Sequence, residues 1–319
     1  MSVDLSPLFN PLKVKDKEIP NRIVMPPMVT VRGIITPEGI TWYSARARGG
    51  AGLVIVEATS VNKFGTDFTV ETLKPLVDAI HQGGALAAIQ LFPVTFDFPS
   101  TVEPPTPDEL DQAGIDAILA DYGRAAAICA EAGFDGIQPH GAHGYLINQF
   151  FSQEKNTRTD QYGGSLENRM RFGLSIVNTV KPACSDGMLL LYRHTPVGKA
   201  YDMDDSLTFC SKLVEAGVDI LDISPSSDEV PGDRAEPFKR FGVPVIAVGA
   251  LDVPERAAEV LAEDRADLVA IGRGLIADAY LPKKMKDGRL HEIIECTKCD
   301  ELCFGNLRQG VPIACVEWH

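Results

Sequence analysis

Residues 188–224 read MLLLYRHTPVGKAYDMDDSLTFCSKLVEAGVDILDIS. Two near-continuous apolar runs, 188–194 and 218–224, flank an amphipathic stretch at 204–216. Unbroken apolar character suits a strand buried on both faces, and a helix between two such strands makes a parallel β–α–β unit. The same grammar extends in both directions. Further runs lie at 22–28 (RIVMPPM), 52–58 (GLVIVEA), 85–92 (ALAAIQLF), 134–140 (FDGIQPH), 243–249 (VPVIAVG) and 267–273 (DLVAIGR). Helical patterns fall between them, at 71–82, 114–131, 165–181, 253–263 and 277–287. Strands alternating with helices in this number predict an α/β fold, a single (β/α)₈ TIM barrel, over a doubly wound sheet. The barrel is expected over residues 1–290, with a cysteine-bearing tail at 291–319 packed on it.

Length and composition agree. At roughly 150 residues per domain, 319 residues would allow about two domains, yet an α/β barrel of about 250 residues is one. The chain is 45% hydrophobic and 23% charged, which excludes the disordered and fibrous classes. With 30 Lys+Arg against 44 Asp+Glu the net charge is −14, so nucleic acid and anionic membranes are repelled. No apolar run approaches the roughly 18 residues of a membrane span. The start, Met1-Ser-Val-Asp-Leu-Ser-Pro, has no apolar core of a signal peptide, so a cytoplasmic protein is expected.

Polar residues gather where strands end, which in a barrel is the catalytic rim. The fourth run closes in Pro139-His140-Gly141-Ala142-His143-Gly144-Tyr145. Two imidazoles and a phenol in one turn can donate hydrogen bonds to a substrate oxygen and deliver a proton. Gln90 and Arg193 end the third and fifth runs. An amide has the donor and acceptor that a flavin pyrimidine edge needs, and a guanidinium there stabilises the anionic reduced ring. Gly249-Ala250 and Gly272-Arg273 end the last two runs, the usual phosphate-binding position of such barrels. The segment 92–109, with Phe92, Phe96 and Phe98, reads as a lid or pocket wall.

Seven cysteines are unevenly placed. Cys129, Cys184 and Cys210 lie singly in or beside helical stretches. The other four form Cys296-x₂-Cys299-x₃-Cys303-x₁₁-Cys315, a thiolate set for an iron–sulfur cluster or tetrahedral zinc. Spacing alone leaves iron and zinc open.

The run 140–172, HGAHGYLINQFFSQEKNTRTDQYGGSLENRMRF, resembles the signature of the old yellow enzyme family of FMN-dependent ene-reductases. NRIVMPPM, VIVEA, AAIQLF, LLLYR, VIAVGA and AIGRGLIAD follow in the family's order, so the resemblance spans the chain. It implies that Pro27, Met28, Val29 and Ala58 line the flavin, that Gln90 and Arg193 hold its pyrimidine, and that Gly249, Ala250, Gly272 and Arg273 hold its phosphate. It also implies that His140 and His143 polarise a substrate carbonyl while Tyr145 protonates the α-carbon, and that Arg158–Arg169 braces the site. The cysteine spacing is similar to the 2,4-dienoyl-CoA and 2-enoate reductase branch, which implies that Cys296, Cys299, Cys303 and Cys315 bind a [4Fe–4S] cluster.

Some positions depart from the family pattern. Val29 stands where Thr or Cys is common, with Thr30 as a candidate substitute, and Pro93 stands where many members have His. After the sixth run, where the dienoyl-CoA reductases have a helper His, the sequence reads Ser224-Pro-Ser-Ser-Asp228-Glu229. No G-x-G-x-x-G fingerprint follows a strand, whereas the resembled branch carries FAD and NAD(P)H domains. The expectation is therefore an FMN enzyme reducing an α,β-unsaturated carbonyl compound. Its electrons would derive from NAD(P)H, directly or through a separate redox partner or missing domains. Two alternatives stay open: an amine- or substrate-oxidising dehydrogenase that sends electrons outward, and an altered barrel with a zinc site serving electron transfer. A homo-oligomer is compatible with all three.

Overall fold

In the computed structural model, residues 4–95, 104–184, 187–226 and 234–318 are described. All eight apolar runs form strands: β1 (Ile23–Met25), β2 (Leu53–Ser60), β3 (Leu86–Phe92), β4 (Gly136–Gly141), β5 (Leu189–His194), β6 (Ile220–Ile223), β7 (Val245–Val248) and β8 (Leu268–Ala270). They are parallel and close into one barrel, the last strand pairing with the first through Val269 opposite Ile23 and Ala270 opposite Val24. Alternation along each strand divides two cores. Leu189 and Leu191 face the barrel interior with Leu53, Ile55, Ile220 and Ile246, while Leu190 and Tyr192 face the helices.

The surrounding helices start at side-chain caps that satisfy otherwise orphaned N–H groups. Helix α1 (Pro37–Arg48) is capped by Thr36, α2 (Val70–Gln82) by a Thr69/Thr72 box, and α3 (Gln112–Ala132) by Asp111. The short α4 (Leu146–Phe151) directly follows the His/Tyr turn; α5 (Leu166–Val180) and α6 (Met203–Glu215) start at Ser165 and Asp202. Beyond α7 (Pro254–Ala262), the helix expected at 277–287 is shorter, α9 (Leu281–Lys286), and a further short helix, α8 (Arg273–Ala277), precedes it. Asp278 causes the break. Its carboxylate accepts from the main-chain N–H groups of Tyr280 and Ile294 and pairs with Lys284 at 2.6 Å, which turns the chain.

Periodicity did not reveal α1, α4 or an antiparallel hairpin, Leu12–Val14 with Lys17–Ile19. The hairpin plugs the barrel floor. Val14 and Ile19 join the interior core, and Lys15 and Lys17 reach Asp219 and Asp135 at 2.6 and 2.9 Å. At the opposite end, the strand C-termini open onto the loops that carry the polar residues. There the tail turns back as α10 (Phe304–Arg308), and Ile313 clips it to the loop after β1. Ile313 N–H donates to Thr30 O at 3.1 Å, and Arg32 Nη2 donates to Ile313 O at 2.6 Å. Among the described residues, no helix is long and apolar enough to cross a membrane.

Candidate active site

One cavity of about 270 Å³ lies over the strand ends. Pro27, Met28, Val29, Ala58, Gln90, His140, His143, Tyr145 and Arg273 all line it. Phe92 joins them from the start of the 92–109 segment; Phe96 and Phe98 lie outside the described residues. The far end of that segment is tied down, Asp108 accepting from Thr157 N–H at 3.0 Å. Cys303, Phe304, Leu307 and Ile313 complete the wall, so the tail is part of the pocket.

The reactive side chains form an aromatic box. Ring centroids are 5.1 Å apart for His140–Tyr145, 5.3 Å for His140–His143 and 5.1 Å for Phe92–Tyr145, all edge-on. His140 Nδ1 accepts the Ala142 N–H at 3.3 Å, which leaves Nε2 as the proton-bearing nitrogen of the neutral ring. Burial, His143 and Arg193 hold His140 well below the usual histidine range, and burial with Arg193 lowers His143 to about 3. Both imidazoles are therefore neutral donors at physiological pH. Burial pushes the Tyr145 phenol above its ordinary range, so it keeps its proton.

Beneath the box runs a polar chain that crosses four strands. Gln90 Nε2 donates to Gln138 Oε1 at 2.8 Å, and Gln138 Nε2 donates to Asp222 Oδ2 at 3.0 Å. Asp222 Oδ2 lies 3.6 Å from Arg193 Nε, and Arg193 Nη2 donates to Ser224 Oγ at 2.9 Å. Gln138, Asp222 and Ser224 were not singled out as site residues from the sequence. Their signal was present: each is polar in or just after an otherwise apolar strand, near its C-terminal end. Arg193 Nε and Asp222 Oδ1 are buried without a hydrogen-bond partner. Gln90 lines the mostly apolar cavity, and behind it Arg193 and Asp222 carry the orphaned polar atoms; an amide on the wall backed by this set fits a heteroaromatic ring with a polar rim such as the isoalloxazine of FMN.

The remaining expected residues are less uniform. Gly249 and Ala250 adopt φ of 127° and 47° beside the cavity but outside its lining. Gly272 precedes α8, and a Cβ there would come within 3.5 Å of Met28 Sδ, so the backbone lies close under the pocket wall. Arg273 pairs with Asp300 of the tail at 3.1 Å. Thr30 is fully buried and its N–H donates to Glu57 Oε2 at 2.8 Å; it does not take the place that Val29 leaves. Asp228 and Glu229 lie outside the described residues. Within the 158–169 stretch, Asn168 Nδ2 donates to the carbonyl of Gly163 at 3.0 Å and Arg169 Nη1 to that of Phe151, and just before it Asn156 Nδ2 donates to the carbonyls of Phe150 and Tyr162, both at 2.7 Å.

Cys296, Cys299, Cys303 and Cys315 share a small recess of about 20 Å³ with Arg273 and Ile276, which also line the large cavity. The thiols do not converge on a point: among the described residues, no three His, Cys, Asp or Glu side chains are grouped as a metal-ion cage.

The model of the NADH:flavin oxidoreductase / NADH oxidase family matches residues 7–107, 99–230 and 232–292. The chain belongs to this family. Like its members it is a flavin-dependent oxidoreductase, of the old yellow enzyme type that uses FMN. It is 35% identical to an NADH oxidase of Thermoanaerobacter brockii over 97% of this chain, but spans 55%, about half, of that relative. It is also 35% identical to an NADPH dehydrogenase of Listeria innocua, covering 92% of this chain and 98% of the relative. Morphinone reductase superposes with a TM-score of 0.77 at 28% identity, over 90% of this chain and 91% of that one.

Proposed function

We propose that this family member reduces the C=C bond of an α,β-unsaturated carbonyl compound, an enoate, thioester or enone. The observation that carries the reading is the convergence of two neutral imidazoles and a protonated phenol in the cavity that Gln90, Ala58 and the Pro27–Val29 wall also line. His140 and His143 hold the carbonyl oxygen, and as negative charge builds there their N–H bonds strengthen. Tyr145 donates its proton to the α-carbon. Bound FMN, when reduced, supplies the hydride for the β-carbon. Gln90 and Arg193 would hold its pyrimidine edge, and Arg273 with the turns at Gly249, Ala250 and Gly272 its phosphate.

For the tail, we read residues 291–319 as a cluster-bearing segment attached to a 1–290 barrel. Cys296, Cys299, Cys303 and Cys315 would hold a [4Fe–4S] cluster. Zinc draws each sulfur to about 2.3 Å from one ion, whereas a four-iron cube spaces its thiolates more widely. The cysteine spacing, similar to that of the 2,4-dienoyl-CoA and 2-enoate reductase branch, favours the cube. The cluster would bring single electrons from NAD(P)H by way of a separate redox partner or further domains. Leu302, Phe304 and Val311, all exposed, offer such a donor an apolar landing face beside the recess.

Anaerobic purification should yield one FMN and about four irons per chain. Tyr145→Phe should slow alkene reduction by about a hundredfold or more, the scale of a lost general acid, while dithionite still reduces the flavin at the native rate. Equal losses in both half-reactions would remove Tyr145 from the proton-donor role.

A further inference from the structure

Ser224 sits where the polar chain under the cavity meets the substrate-side histidines. Its hydroxyl oxygen lies 2.9 Å from Arg193 Nη2 and 2.9 Å from His143 Nε2. Its main chain is fixed as well: the N–H donates to His194 O at 2.9 Å and the carbonyl accepts from Thr195 Oγ1 at 3.1 Å. The same Thr195 oxygen accepts the His143 N–H at 2.9 Å. His143 thus keeps a left-handed φ of 60°, unfavourable for a residue with a Cβ, with its N–H held by Thr195 and its ring by Ser224. Ser224 is 2% exposed, so bulk water cannot take over either bond.

Proton counting fixes the direction of the Arg193 bond and leaves the serine proton free for the His143 bond. A guanidinium only donates, so Arg193 occupies one lone pair of the serine oxygen. The hydroxyl proton is then available to His143 Nε2. His143 is neutral and carries one ring hydrogen, which an acceptor role for Nε2 places on Nδ1. A bond donated into Nε2 by a hydroxyl that Arg193 polarises withdraws electron density from the ring and makes Nδ1–H the stronger donor.

We infer that Ser224 is a positioning residue for the reaction: it takes a hydrogen bond from Arg193 and gives one to His143, fixing which imidazole nitrogen donates to the substrate oxygen and tying that donor to the guanidinium at the cofactor's polar edge. This rests on the carbonyl-clamp role of His143 proposed above. It also supplies a task for the residue that follows the sixth strand, the region where the dienoyl-CoA reductases have a helper histidine and this chain departs from them. A serine there cannot reach a substrate as a long side chain would, but it can set the hydrogen-bond sense of a histidine that does.

The test compares Ser224→Ala and Ser224→Thr in FMN-loaded protein titrated with 4-hydroxybenzaldehyde, whose phenolate takes the place of the carbonyl oxygen. Binding is followed by the long-wavelength absorption band. The alanine variant should bind about tenfold more weakly, the scale of one lost hydrogen bond, and the threonine variant should return to within about twofold. FMN content should match the native protein, and the alanine variant should melt in a single transition a few degrees lower, since two buried partners lose a bond. Nitrogen-15 spectra of histidine-labelled protein, which has six histidines, should show the Nδ1–H form of His143 in the native chain and a mixture in the alanine variant. Native-like affinity in the alanine variant, failure of threonine to restore it, or an Nε2–H form in the native chain would each overturn the role of Ser224. A native protein that gives no band at all with the phenol overturns the clamp role of His143 as well, which separates the two failures.

Discussion

Tyr145 and His194 show how burial sets chemistry one residue at a time. The Tyr145 phenol keeps its proton because the cavity disfavours the phenolate, which is what an acid acting on carbon needs. His140→Ala should remove one of two donors to the substrate oxygen, so affinity for 4-hydroxybenzaldehyde should fall by about tenfold or more; unchanged affinity in a titration would contradict the clamp. His194 lies in the outer core, its Nε2 2.9 Å from Ser206 Oγ, and burial lowers it to about 3. It is neutral in the folded protein, whereas the unfolded chain takes up a proton below about 6.5. Stability tied to His194 is therefore present above pH 6.5 and drains as pH falls towards 3, by about 1.4 kcal/mol per unit. His194→Gln should flatten the acid slope of urea unfolding free energies by about that amount; an unchanged slope would show that His194 titrates normally. The site residues that sequence reasoning reached stand in one contiguous turn, Pro139–Tyr145, or end a strand. Gln138, Asp222 and Ser224 escaped because their partners lie 48, 84, 31 or 81 positions away and only closure of the barrel joins them.

Among elements, the strands were legible and the shorter pieces were not. A strand inside a closed parallel barrel is buried on both faces, so its apolar run survives translation into sequence. The hairpin at 12–19 has three-residue strands, each with one inward side chain, Val14 or Ile19, which is too little pattern to see. Helix α1 escaped for another reason: its inner face includes Arg46, which lies across Trp42 with its guanidinium carbon 3.3 Å from the ring centroid and donates to Leu275 O at 3.0 Å. A buried arginine breaks the apolar stripe by which a helix is recognised. The tail depends on the Ile313 clasp. Arg32→Met removes one of its two hydrogen bonds, so FMN should dissociate several-fold faster and trypsin should cut the tail sooner, while the melting temperature of the barrel barely moves; unchanged flavin release would mean that the clasp is redundant.

At the scale of the whole molecule, the barrel is closed from below by its own N-terminus. Asp135 gathers that closure: it accepts from Lys17 at 2.9 Å, His81 at 2.6 Å and the Ala87 N–H at 2.9 Å. Asp135→Asn should cost about 1–2 kcal/mol, since the carboxylate is buried but its Lys17 and His81 partners are partly exposed to solvent. Calorimetry should show the loss as a lower melting temperature with phenol affinity intact at 25 °C; a selective loss of affinity would place Asp135 in the site. The tail closes the other end in a different manner. Because Cys303, Phe304, Leu307 and Ile313 form a wall of the substrate cavity, the segment that would receive electrons also shapes what can be bound. Donor choice and substrate choice are then written in the same few residues. Exchanging tails between relatives to change the electron supply would redraw the list of accepted substrates, and variation selected for one property would drag the other along.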